Sequence, residues 1–129
     1  MTIRQQKIAA LRAKGESTEV LVKESKAKER EFLSNQKLDE SSKAWKAGKT
    51  EEQLAAANEA IRLNSKNWGA YNMRGVAYID KSAYDKALAD CNRALAINPN
   101  IAIAYNNRGT AYADMNDKPN PPAMLGRIE

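Results

Sequence analysis

The chain has 129 residues, 43% of them apolar and 29% charged, with a net charge of +5 from 21 basic and 16 acidic side chains. That is enough for one small domain of ordinary globular composition. A single cysteine, no histidine and no G-x-G exclude an internal disulfide, a cysteine-based metal cluster, imidazole catalysis and a Gly-rich phosphate loop. No run nears the roughly 18 apolar residues of a membrane span. The opening MTIRQQKIAALRAKGE meets lysine, glycine and glutamate too early for a secretory signal. The expectation is a cytoplasmic, non-enzymatic protein without cofactor or metal.

In chain order, residues 1–33 carry eight basic and five acidic side chains, which is most of the excess charge. The signs are interleaved, as in KESKAKEREF, where Glu24 supports Lys28 and Lys26 opposes Arg30 at helical spacing. This reads as a solvated helix and not as the basic stripe of a nucleic-acid binder. Its segment AKGESTEVL (13–21) lies over KAGKTEEQL (46–54) at an offset of 33. Within 34–67, LAAANEAIRLN (54–64) lies over LADCNRALAIN (88–98) at an offset of 34. Then AYNMRGVAY (70–78) and AYNNRGTAY (104–112) share seven of nine positions, again 34 apart.

Each unit divides into two helices by apolar period. Tyr71, Gly75, Tyr78 and Ile79 share one face, and Ala87, Leu88, Cys91, Ala94 and Leu95 share the next. Asp80-Lys81-Ser82 breaks the first helix, and Asn98-Pro99-Asn100 ends the second. One such pair cannot bury a core alone, whereas a stack can. Cys91 and the tyrosines at 71, 78, 105 and 112 are read as packing residues, not as a nucleophile or a base-stacking platform. Asp39-Glu40 and Glu51-Glu52 are adjacent in sequence and do not face each other on a helix, so neither is a catalytic dyad.

The segment WGAYNMRGVAYIDKSAYDKALADCNRALAINPN (68–100) resembles a tetratricopeptide repeat. Tyr71, Gly75, Tyr78, Tyr84, Ala87, Ala94 and Pro99 stand at that family's signature positions. The match is looser over 34–67, where Ser65 replaces the proline and Gln53 the small alanine, and faintest over 1–33. The resemblance implies an all-α, right-handed superhelical stack of antiparallel helix pairs. Its units would be a helical N-terminal region (1–33, a degenerate repeat), repeats at 34–67 and 68–101, the first helix of an incomplete repeat (102–117) and a Pro-rich tail (118–129). The abrupt end reads as truncation of a longer array.

Function in this family lies in a concave groove lined by the first helix of each repeat, which takes a peptide or a partner's helix. The matching positions here are Leu38, Ser42, Trp45 and Lys46, then Asn72, Val76, Ile79 and Asp80, then Asn106, Thr110, Ala113 and Asp114. Asn72 and Asn106, at equivalent positions, would hydrogen-bond a peptide backbone in register. A subgroup of the family clamps the C-terminal carboxylate of chaperone tails. This chain keeps Asn107 but has Asn72 and Val76 where that clamp uses lysine and asparagine, so it is not read as one.

The leading reading is a non-catalytic protein-interaction scaffold for a protein or peptide partner. A second is a self-assembly module, a homo-oligomer formed through Tyr105, Tyr112, Met124 and Leu125. Prolines 119, 121 and 122 prevent the usual second helix there, which leaves the last helix as an apolar cap. A third is an RNA-associated helical repeat, resting only on the basic balance.

Overall fold

The computed structural model describes residues 2–15 and 18–117. Six helices follow one another: α1 (Ile3–Ala13), α2 (Glu19–Lys46), α3 (Thr50–Leu63), α4 (Trp68–Asp80), α5 (Tyr84–Ile97) and α6 (Ala102–Asp117). Among the described residues there is no strand. Two helix pairs, α2 with α3 and α4 with α5, are followed by the single helix α6. α2 runs through residues 33 and 34 without a break.

The reason lies in the turns that end α3 and α5. There Asn64 and Asn98 accept the backbone N–H two residues on, at 3.1 Å in both cases, and hold extended backbone. The equivalent position 34 residues earlier is Arg30, which cannot make that turn. Neither proline nor glycine occurs between Glu19 and Lys46, so the helix continues for 28 residues. α1 packs on α2 alone and buries no residue. It opens on a capping box, with Thr2 Oγ1 accepting from Gln5 N–H and Gln5 Oε1 accepting from Thr2 N–H.

The tight turns inside the helix pairs share one geometry. Gly15, Gly48 and Ser82 have φ of +73°, +73° and +59°. At Gly48, its own N–H donates to Trp45 C=O and the Lys49 N–H to Ala44 C=O. Ser82 and Ala83 repeat that pattern onto Ile79 and Tyr78. Both are Schellman caps, which need the left-handed backbone that glycine adopts freely and serine does not.

The core is made of small side chains. Ala57, Ala60, Ala70, Ala77, Ala87, Cys91, Ala94, Ala104 and Ala111 are fully buried, which lets neighbouring helices approach closely. Two joints between repeats differ in chemistry. Ahead of α4, Asn67 caps the helix through Ala70 N–H and donates to Ser34 Oγ (2.9 Å) and Asn35 Oδ1 (3.2 Å), while Ser34 donates to Ala60 C=O (2.7 Å). Ahead of α6 the same position is Ile101, buried with Ala94 and Ala104 and flanked by Tyr71 and Leu95.

Candidate functional site

The first helix of each pair forms a row: α2 touches α4 and α4 touches α6, whereas α3 and α5 do not meet. The sequence-predicted residues lie along this row in unlike surroundings. Trp45 is 44% exposed, and Lys46, Asp80, Asn106 and Thr110 are also exposed. Leu38, Ser42, Val76 and Ile79 are half-buried. Leu38 lies over the first turn of α4, where a Cβ on Gly69 would come within 2.7 Å of its Cδ2. Thr110 Oγ1 donates to Asn106 C=O at 3.0 Å, within its own helix.

The two asparagines that share a repeat position differ most. Asn106 is open, but Asn72 is 4% exposed, and its Oδ1 accepts from Asn107 Nδ2 at 2.7 Å. That amide pair ties α4 to α6. Residue 107 is one of the two mismatches between the nine-residue copies, with methionine at 73, and that difference is the signal by which the link could have been found.

A network that sequence reading missed joins α3, α4 and α5. Asp90 is fully buried and accepts two bonds from Arg74, from Nε at 2.8 Å and Nη2 at 2.7 Å. Arg93 Nη1 adds a third at 2.8 Å, and Arg74 Nη1 reaches Asn58 Oδ1 at 3.2 Å. The carboxylate raises the Arg74 pKa further above its usual value, against the opposing effect of burial. Tyr71 and Tyr78 flank the guanidinium at 5.5 and 6.0 Å from their ring centres. The signal was available: Asn58/Asn92 and Arg74/Arg108 each recur at the 34-residue offset.

Of the self-association residues, Tyr105 is 47% and Tyr112 43% exposed. The Tyr105 hydroxyl donates to Pro99 C=O at 3.3 Å. Met124 and Leu125 lie outside the described residues, as do prolines 119, 121 and 122. Cys91 is fully buried, and burial pushes its thiol pKa up, with the Asp90 carboxylate adding to the effect. A separate open depression of about 650 Å³ lies between α2 and α3. Its rim carries the pairs Lys37–Glu40 and Lys49–Glu52, together with Lys43. Among the described residues no group of His, Cys, Asp or Glu could hold a metal ion, and no helix is long and apolar enough to cross a membrane.

Comparison with known proteins agrees with this architecture. Residues 69–101 match the tetratricopeptide repeat family. The Arabidopsis OM64 TPR domain superposes with a TM-score of 0.64 at 27% identity, over 67% of this chain and 71% of that one. The second TPR of Spaghetti (RPAP3), solved with the HSP90 peptide SRMEEVD, gives 0.66 at 22% identity over 70% and 83%. The TPR2B domain of yeast Sti1, solved in a complex titled pHsp70, gives 0.64 at 22% over 67% and 69%. No curated protein matches the chain significantly.

Proposed function

With residues 69–101 established as a tetratricopeptide repeat in a helical solenoid, we propose that the chain is a non-catalytic scaffold that holds a peptide or a partner's helix along the row α2–α4–α6. The observation that carries this reading is the contact pattern. First helices touch one another and second helices do not, which supports a stack curved toward the first helices with their row on the inner side. Trp45, Val76, Ile79 and Asn106 lie along that row, combining an aromatic anchor, aliphatic surface and an open amide. The two solved neighbours that carry HSP90 and Hsp70 peptides support a peptide as the occupant.

The chemistry of the row favours a peptide unlike those acidic tails. Its twelve predicted positions hold one cation, Lys46, and two anions, Asp80 and Asp114, so no cluster of positive charge awaits a carboxylate. Asn72 already has its amide oxygen engaged by Asn107, which leaves Asn106 as the amide to meet a peptide backbone. Panning a peptide-display library against the whole chain tests the reading. Selected peptides should lose at least about tenfold in affinity for a Trp45→Ala, Asn106→Ala variant that still melts within a few degrees of the parent. SRMEEVD should not compete. Selected peptides that bind parent and variant equally would remove the row as the site.

A further inference from the structure

We propose that the open flank of α6 is a second docking surface, and that its occupant is a partner protein's helix built like α5. That helix would present small residues to Gly109 and a carboxylate to Arg108. The inference stands apart from the groove reading and rests on the internal repeat, which supplies the same surface twice, once covered and once not.

In α4 the shared sequence is completed by α5. A Cβ on Gly75 would lie 3.5 Å from Ala87 C=O and 3.6 Å from both Asp90 Cβ and Cys91 Sγ. Beside it, Arg74 binds Asn58 of the preceding helix and both oxygens of Asp90 of the following one. In α6 the half supplied by the preceding helix is already assembled. Arg108 Nη1 donates to Asn92 Oδ1 at 3.3 Å, and the guanidinium sits 5.1 Å from the Tyr105 ring centre. The other half is missing among the described residues: Gly109 meets nothing within 4 Å, and Arg108 has no ion pair. A guanidinium held by Asn92 and Tyr105 is positioned to take a carboxylate in bidentate fashion, as Arg74 does.

The chemistry narrows the occupant to a partner. Counting 34 residues on from α5, this chain has Pro119, Pro121 and Pro122 at the places of Asp85, Ala87 and Leu88, and Met124 at that of Asp90. At the place equivalent to Asp90 the sequence that follows therefore has no carboxylate. A second copy's α5 has Asp90 fully buried on its own Arg74, and a second copy's α6 would bring another Arg108 against the first. What fits is a helix reading small-x-x-acidic-small, as Ala87, Asp90 and Cys91 do.

The probe is a lactam-stapled YDKALADCNRALAI peptide, residues 84–97, with Cys91→Ala, titrated into the whole chain and followed by NMR amide shifts. Stapling matters because an isolated helix of this length is marginal in water. Saturable binding is expected, with shifts centred on Arg108, Gly109 and Tyr112. An Asp90→Asn peptide should bind at least about tenfold more weakly. Arg108→Gln should erase that preference, and Gly109→Leu should abolish binding, while the circular dichroism of both proteins stays that of the parent. The proposal is overturned by absence of binding, by shifts confined to other helices, or by equal binding of both peptides. Binding that appears only after residues 118–129 are deleted would give the surface to the chain's own tail. A dimer in light scattering that the peptide dissociates would give it to a second copy. Either result would also end the proposal of a partner.

Discussion

α4 and α6 start from nearly the same sequence and end in different surroundings. Ala70 and Ala104, and Ala77 and Ala111, are buried in both, because each helix lies on the repeat before it. The remaining positions diverge. Tyr71 is half-buried where Tyr105 is exposed, Asn72 is buried where Asn106 is open, and Gly75 is in contact where Gly109 is not. Among the described residues Arg74 pairs with a carboxylate, whereas Arg108 meets the amide of Asn92 and the ring of Tyr105. Identity of sequence thus fixes what a helix offers, while the neighbour that follows decides which of those groups become core. In a stacked fold a terminal helix is a surface by position and not by composition.

The largest effect should come from the carboxylate that separates the two helices. Asp90→Ala leaves Arg74 as a mostly buried cation without its partner and is expected to cost about 3 kcal/mol in urea unfolding. Arg108→Ala should cost about 0.5 kcal/mol or less, and equal losses would break the comparison. Next come the paired glycines. Gly75→Leu overfills the contact with Ala87, Asp90 and Cys91, which implies a loss of about 1–3 kcal/mol. Gly109→Leu should be neutral or stabilising by up to about 1 kcal/mol, the helix-propensity gain over glycine. A methyl group is a gentler probe: at Gly75 the Cβ contacts of 3.5–3.6 Å are ordinary, so thermal melts of Gly75→Ala should show little loss.

Turn chemistry gives a smaller effect. Ser82→Gly should raise stability by about 1 kcal/mol by relieving a left-handed serine, and Gly48→Ala should lower it by a similar amount. Nothing lies within 4 Å of Gly48, so that loss would come from backbone conformation and not from a clash. The smallest effect concerns pH. The Cys91 pKa is higher folded than unfolded, so its contribution is complete below the unfolded value, about 8.5, and fades as pH rises through the folded one. Stability that falls more steeply above pH ~9 in the parent than in Cys91→Ala would show it. Thiol labelling of the native protein should also be slow at neutral pH.

Periodicity and the 34-residue offset made the helix pairs and the Pro99 turn legible in the sequence. The fused α2 was not, because it depends on what Arg30 fails to do and no local motif announces a missing Asx turn. The exchange at position 53 was half legible. The loss of the small residue equivalent to Ala87 is plain in the sequence. What replaces it is not: Ser41 Oγ donates to Gln53 C=O at 2.8 Å and Gln53 Nε2 to Met73 C=O at 2.9 Å. For the candidate site, helical period placed residues on the first helices, but the burial of Asn72 depends on Asn107, 35 residues away. Partners at that separation cannot be read from local pattern.

The contact order of the stack bears on how it folds. Every contacting helix pair involves helices that are consecutive or separated by a single helix, so no long loop must close before contacts repay its entropy. Helical proteins with such local topology reach the native state in about microseconds to milliseconds. α4 with α5 can serve as a nucleus, since together they hold the buried ion pair and much of the alanine core, and the flanking helices can then add outward. Unfolding should run in reverse. Amides of α1, which buries nothing, should exchange first, and those around Ala87 and Cys91 should wait for the whole array to open.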